Sequence, residues 1–173
     1  MKTVTSITIA PPFAVQKIAI PLLWQHTYDV VRRLPAHISV LYPFVPEPDL
    51  PTATDHLRDL CAAIEPFDIT VAGYGEFPQV TYLQIEPSDE LNALMQQVHA
   101  AFPQCDPYHG TFGKEPPPTH ITVAVFNSKN KQRQATFPDY EPVTFTVDRL
   151  HVNLGAENRI LTWLVRDVVM LGG

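Results

Sequence analysis

The feature that most constrains the fold of this chain is a six-residue pattern that occurs twice. Residues 35–40 are Pro-Ala-His-Ile-Ser-Val, and residues 118–123 are Pro-Thr-His-Ile-Thr-Val. Each copy opens on a proline and ends in β-branched residues, which predicts a short strand that enters from a turn. Side chains alternate along a strand, so the histidine and the hydroxyl residue share one face while the isoleucine and valine face a core. The chain therefore offers two imidazoles and two hydroxyls to one cleft.

Hydrophobic periodicity around the two motif strands predicts helices and strands in one chain. Capping residues and apolar stripes favour one helix over Thr54–Glu65 and a second that starts after Ser88. An apolar run interrupted by Pro21 predicts a first strand. The predicted elements are a strand over Val15–Trp24, a short helix over Gln25–Leu34, motif strands over 37–44 and 120–126, strands over Phe67–Phe77 and Val80–Glu86, a polar turn over Asn127–Gln134, and strands over Val143–Leu154 and Ile160–Leu171.

The order of these elements suggests one unit used twice. We therefore expect an α+β fold with two lobes, in which antiparallel sheets flanked by helices enclose a central groove. Residues 1–173 are expected to form a single domain with a pseudo-repeat. Each motif strand would lie in its own lobe, and the two would meet at a pseudo-twofold cleft.

Charge and composition limit the class of partner. The net charge is −6, from 12 Lys and Arg against 18 Asp and Glu, and the only runs of positive charge are Arg32-Arg33 and Lys129 to Arg133. Non-specific binding to long nucleic acid requires many cations, so a small or terminal phosphate substrate fits better. The longest apolar stretch, Ile18–Trp24, is too short to cross a membrane. We expect a cytoplasmic monomer that is not exported and does not bind membranes.

Several other chemistries lack their residues in this sequence. No glycine-rich nucleotide loop and no paired metal-ligand motif occurs. Cys61 is expected to be a packed core thiol and Cys105 an incidental loop residue, and so few cysteines favour a reducing compartment. His99 is expected to be a partly exposed helical histidine. A zinc site that used His37 and His120 would need a third ligand that the motifs do not supply.

Four of the remaining histidines do not indicate a metal site either. His26, His56, His109 and His151 have no partner at ligand spacing. The sequence therefore predicts neither a metal nor a cofactor.

The paired motif resembles that of the two-histidine phosphoesterase superfamily, which includes 2′-5′ RNA ligase-like and cyclic phosphodiesterase proteins. Phe112-Gly-Lys114 ahead of the second motif, and Trp163 with the strand that ends at Leu171-Gly172, are similar to the approach loop and tail of that family. The resemblance implies a bilobal fold with a central groove and metal-independent chemistry on 2′,3′-cyclic or 2′-5′ phosphodiester bonds of a small nucleotide or RNA end.

The residues themselves support this chemistry. Hydrolysis of a phosphodiester needs a base that takes a proton from water and an acid that protonates the departing oxygen, and histidine can fill either role near neutral pH. We expect His120 to activate the water and His37 to protonate the leaving group, although the pseudo-symmetry leaves the opposite order open. Ser39 and Thr122 would donate hydrogen bonds to the phosphate oxygens. No catalytic role is expected for Tyr42.

Phe112 and Lys114 are candidates to hold a base and a phosphate. Two alternatives to hydrolysis remain open. In the first alternative, the groove binds a phosphate or RNA end without turnover. In the second it would join RNA ends, which is the reverse of the cleavage reaction.

Overall fold

The computed structural model describes residues 2–28, 35–111, 119–156 and 159–172, and for 159–162 it describes the backbone only. The fold is α+β, as predicted. The strands are β1 (Thr3–Ile9), β2 (Ile38–Leu41), β3 (Phe67–Phe77), β4 (Val80–Ile85), β5 (His120–Val125), β6 (Val143–Val147), β7 (Arg149–Ala156) and β8 (Arg159–Met170), and the helices are α1 (Phe13–His26), α2 (Leu50–Cys61), α3 (Asp89–Ala101) and α4 (Lys129–Gln134).

The described strands form two antiparallel sheets with the orders β2-β1-β7-β8 and β5-β4-β3-β6. Both motif strands, β2 and β5, are edge strands, and these two edges approach each other. Corresponding connections, β1-α1-β2 and β4-α3-β5, lead into them, and each helix packs against the motif strand of the other sheet. We retain the single domain over 1–173 and its pseudo-repeat as a proposal.

The first predicted strand, Val15–Trp24, is wrong, because those residues lie in α1. Its buried residues follow a helical period, and Pro21 is accommodated inside the helix with its side chain exposed. The opposite face is also apolar, since Phe13 and Trp24 are 80% and 59% exposed, so the sequence lacks the polar face that would identify a helix. In the helix predicted over Gln25–Leu34, residues 25 and 26 form the end of α1 and residues 27 and 28 are not helical, while residues 29–34 lie outside the described ranges.

The strand predicted over Val143–Leu154 is two strands in different sheets. The chain leaves the second sheet after Val147 and enters the first at Arg149. Asp148 lies at the break, where its carbonyl accepts a hydrogen bond from the Leu171 amide at 2.8 Å. Apolar residues occupy odd positions from 143 to 147 and even positions from 150 to 154. The phase of the alternation therefore shifts at Asp148, and the prediction of one continuous strand missed this signal.

Other boundaries were predicted more closely. Ser88 caps α3 by accepting a hydrogen bond from the Leu91 amide at 3.1 Å, and β3 and β4 are antiparallel neighbours as expected. Helix α2 begins earlier and ends earlier than the predicted Thr54–Glu65. The polar turn predicted over Asn127–Gln134 contains α4, which is capped by Ser128. None of the helices in the described ranges is long and apolar enough to span a membrane.

Candidate active site

The alternation predicted for the two motifs is confirmed by burial. The histidine and hydroxyl residues are all half-buried, whereas the apolar residues of both motifs are at most 2% exposed. The apolar set packs in the core and consists of Ile38, Val40, Ile121 and Val123. Because β2 and β5 face each other at the sheet edges, the polar residues of both motifs border the junction between the two sheets.

His37 precedes β2 and is held by the backbone. Its Nδ1–H donates a hydrogen bond to the Pro35 carbonyl at 2.9 Å. A carbonyl has no proton to give, so this contact fixes the neutral imidazole as the tautomer whose Nε2 carries the lone pair. Burial lowers the pKa of His37 below its ordinary value, and the hydrogen bond to Pro35 opposes the shift. The neutral form, with a basic Nε2, is therefore favoured near pH 7.

Ser39 is in contact with a residue that the sequence did not indicate. A hydrogen bond joins its hydroxyl to the phenol of Tyr108, whose pKa is raised by burial and lowered in part by this bond. Tyr108 lies in a tight turn over Pro107–Gly110 and donates its amide to the Tyr42 carbonyl at 2.6 Å. Tyr108 and His109 have φ angles of 52° and 54°, a left-handed conformation that is unfavourable for residues other than glycine.

A cluster of aromatic rings lies near the first motif, around Tyr42. The Tyr42 ring is centred 6.2 Å from that of Tyr108, 6.3 Å from that of His109 and 6.5 Å from that of Trp163. The Trp163 ring packs over Gly155, where a Cβ atom would lie 2.5 Å from it. Tyr42, for which the sequence suggested no role, therefore contacts the turn that carries Tyr108.

His120 has a different environment. Its ring is centred 5.1 Å from Phe77 at 83° and 5.2 Å from Tyr82 at 55°, and those two rings are 4.6 Å apart. Tyr82 is paired with Thr122 across β4 and β5 and covers Gly75, where a Cβ atom would be 2.3 Å from the ring. The second motif is thus supported by aromatic packing.

The face of the first sheet that carries Ser39 has further polar residues. Thr8 is paired with Ser39 on one side and with His151 on the other. Asn153 donates hydrogen bonds to Thr8 at 2.9 Å and to Ser6 at 3.3 Å. Burial and the nearby charge of Arg149 lower the pKa of His151, and Asp148 opposes the shift. Sequence spacing missed this arrangement because only strand pairing brings these residues together.

Each motif strand is anchored by a helix of the other lobe. His99 in α3 is half-buried, as expected, and its Nε2–H donates to the Val40 carbonyl in β2 at 2.8 Å. The edge of β5 is held just after α1, where the Val125 amide donates to the Thr27 hydroxyl at 3.2 Å and the Tyr28 amide donates to the Val125 carbonyl at 3.1 Å. These contacts fix the two edges relative to each other.

The remaining predicted residues have separate outcomes. Phe112 and Lys114 lie outside the described residues. Cys61 is fully buried, as predicted, and burial raises its pKa to about 11, while burial also raises the pKa of Cys105. Within the described ranges, no three His, Cys, Asp or Glu residues are grouped so that they would hold a metal ion.

Comparisons with known proteins agree with the fold and the motifs. The family model of the 2′-5′ RNA ligase superfamily matches residues 8–157. A candidate phosphoesterase of Geobacillus kaustophilus is 29% identical over 177 residues, which cover 96% of this chain and 95% of that protein. A candidate phosphoesterase of Geobacillus thermodenitrificans is also 29% identical, over 81% of this chain and 80% of that protein.

Solved structures give the same fold at low sequence identity. The crystal structure of Escherichia coli LigT complexed with 3′-AMP superposes with a TM-score of 0.74 at 15% identity and covers 99% of each chain. A structure of a Thermus thermophilus protein has a TM-score of 0.66 at 17% identity and covers 98% of each chain. From the family model and the paired histidine motifs, this chain belongs to the 2′-5′ RNA ligase superfamily of two-histidine phosphoesterases and is an enzyme of that class.

Proposed function

We propose that the protein hydrolyses 2′,3′-cyclic or 2′-5′ phosphodiester bonds of a small nucleotide or RNA end, with His37 and His120 as base and acid. The observation that carries this proposal is the position of both histidine motifs on sheet edges that face each other. Because two imidazoles supply both proton transfers, the reaction needs no metal. LigT structures hold 3′-AMP, ATP or phosphate, which supports a nucleotide phosphate in the corresponding groove.

The environment of His37 suits the base. A general base must be neutral before the reaction, and burial favours the neutral ring by lowering the pKa of His37. The hydrogen bond from Nδ1–H to Pro35 opposes that shift, but it fixes the tautomer whose Nε2 carries the lone pair. In this order, His37 takes a proton from water as the oxygen attacks phosphorus. His120 then protonates the ribose oxygen that leaves, and a phosphomonoester is formed. This order is the reverse of the one expected from the sequence.

The two hydroxyls stabilise the transition state in this proposal. Negative charge on the non-bridging phosphate oxygens increases as water attacks, and donors positioned beforehand stabilise that charge. Thr122 and Ser39 each follow their histidine by two positions and share its face of the strand. The phenol of Tyr108 orients Ser39 through their hydrogen bond. Tyr108 is thus a positioning residue for the first motif.

The direct test is hydrolysis of the four nucleoside 2′,3′-cyclic phosphates, with a chelator present, by wild type and by His37→Ala and His120→Ala. Turnover that survives the chelator and is lost in both variants supports the proposal. Turnover that the chelator abolishes would contradict metal-independent hydrolysis. Binding of 3′-AMP by wild type without turnover of any cyclic phosphate would favour a non-catalytic binding module.

A further inference from the structure

Helix α4 concentrates positive charge on an otherwise acidic protein. The protein has a net charge of −6, yet residues 129–134 are Lys-Asn-Lys-Gln-Arg-Gln and contain three of its 12 Lys and Arg without any acid. All three cationic side chains are exposed. None of the three forms an ion pair within the part of the chain that the structure describes. A local positive surface of this kind attracts anions.

Two of these cations border a depression beside the candidate active site. A depression of about 270 Å³ lies between α4 and the β3–β4 turn. Lys129 and Arg133, one helical turn apart, line it from α4, and Phe77 lines it from the turn. The ring of Phe77 also packs on His120 at 5.1 Å. One residue therefore belongs to both the depression and the surroundings of the second catalytic motif.

The walls of the depression are fixed by hydrogen bonds through Gln132. This glutamine is 8% exposed, accepts a hydrogen bond from the Gln79 amide at 2.8 Å, and donates to the carbonyls of Phe77 at 3.0 Å and Val80 at 3.1 Å. Gln79 has a φ of 67° and donates its side-chain amide to the Phe126 carbonyl at 3.0 Å. A site whose walls are already ordered binds a ligand with a smaller entropy loss.

We infer that this depression binds the phosphodiester backbone of the nucleotide next to the scissile bond, so that the preferred substrate is the end of a short RNA chain and not a free cyclic mononucleotide. The inference rests on the proposed function for the identity of the bond that is cleaved. Lys129 and Arg133 would contact phosphate oxygens, and Arg is well suited to bind two of them together. Glu76 also lines the depression, and its carboxylate disfavours the approach of further phosphates. A local site of this size agrees with a chain that lacks the surplus of cations needed for long nucleic acid.

The test is equilibrium binding of a fluorescein-labelled tetraribonucleotide with a 3′-phosphate, which has no cyclic bond to cleave, measured by anisotropy over a range of salt. The variants are Lys129→Gln and Arg133→Gln. Lys131→Gln is the matched control, because it removes the same charge from the same helix at a residue that does not line the depression. Hydrolysis of a nucleoside 2′,3′-cyclic phosphate is measured on the same proteins.

We expect Lys129→Gln and Arg133→Gln each to weaken binding of the oligonucleotide and to reduce the slope of log K against log salt by about 0.7, the value for one lost contact to a single strand. Lys131→Gln should keep the wild-type slope, and all three variants should keep the wild-type kcat/KM for the mononucleotide. Equal slopes in all three variants, or absence of oligonucleotide binding by wild type, would overturn the inference.

The two proposals fail in different ways. If the mononucleotide is hydrolysed but the slopes do not differ, the proposed function stands and the phosphate site is wrong. If the slopes differ as expected but neither the mononucleotide nor a tetranucleotide with a 2′,3′-cyclic end is hydrolysed, the phosphate site stands and the proposed reaction is wrong.

Discussion

The two motif strands occupy corresponding edges of their sheets, yet their histidines have different surroundings. His37 donates a hydrogen bond to a backbone carbonyl, whereas His120 packs against two aromatic rings. Ser39 is held by the phenol of Tyr108, and Thr122 is paired with Tyr82. Two similar sheet edges therefore place their imidazoles in different environments, and separate base and acid roles require such a difference.

The largest expected effect comes from removing either imidazole. His37→Ala and His120→Ala should each lower kcat for a nucleoside 2′,3′-cyclic phosphate by about a hundredfold to ten-thousandfold, because each removes one proton transfer. His56→Ala is the control, since His56 is exposed on α2 and should keep wild-type activity. Far-ultraviolet circular dichroism should be unchanged in all three. Loss of activity in only one motif variant would contradict two-histidine catalysis.

Removal of the hydroxyls should have a smaller effect and should distinguish the two ends of the groove. Ser39→Ala and Thr122→Val should each lower kcat by up to about a hundredfold, the lower range for a lost transition-state donor. Tyr108→Phe should lower kcat when it is introduced into the wild-type protein. It should have little further effect when it is introduced into the Ser39→Ala variant, because Tyr108 acts through Ser39. A double-mutant cycle on kcat measures this coupling. Additive effects of the two substitutions would show that Tyr108 acts independently.

Loss of the Phe77 ring should disturb His120 in the second motif and leave His37 in the first motif unaffected. Phe77→Leu removes the edge-to-face packing on His120, a contribution of about 0.5–1.5 kcal/mol, so we expect kcat to fall several-fold. Phe137→Leu is a suitable control, because Phe137 packs on His26 and Tyr74. The imidazole NMR signals of His120 should move in Phe77→Leu while those of His37 stay in place. Movement of both would mean that the substitution disturbs the whole groove.

The smallest expected effect is on stability. Burial lowers the pKa values of His26, His37 and His151 in the folded state, so the unfolded chain binds more protons as the pH falls. Their contribution to stability is complete above the unfolded pKa of about 6.5 and is lost as the pH falls below that value. The midpoint of urea unfolding should therefore decrease from pH 7.5 to pH 5.5, and less so in His26→Phe. An equal decrease in that variant would exclude His26 as a contributor.

Local patterns were sufficient to predict the motif strands and the second long helix. Alternation placed Ile38 and Ile121 in the core, and Ser88 marked the start of α3. These predictions succeeded because a strand's two faces and a helix's cap depend on residues close in sequence. The residues that complete the site depend on tertiary contacts. Nothing near Tyr108 in the sequence indicates that its phenol would reach Ser39.

The errors in the predicted fold have several origins. Helix α1 is apolar on both its buried and its exposed faces, so its period was hidden in a continuous apolar run. The break at Asp148 separates strands of two sheets, and the prediction overlooked the shift of apolar residues there from odd to even positions. Gln132 and His99 are polar helix residues whose hydrogen bonds join distant backbone segments, and periodicity gives them no special status.

The pH dependence of kcat/KM for a nucleoside 2′,3′-cyclic phosphate, with a chelator present, tests the central claim most directly. As the pH falls through the lowered pKa of His37, the base becomes protonated and the rate should fall, so the acidic limb should lie below about pH 6.5. An alkaline limb should appear as the acid histidine loses its proton, which gives a bell-shaped profile. A profile without an acidic limb, or with one above the ordinary imidazole pKa, would contradict His37 as the base.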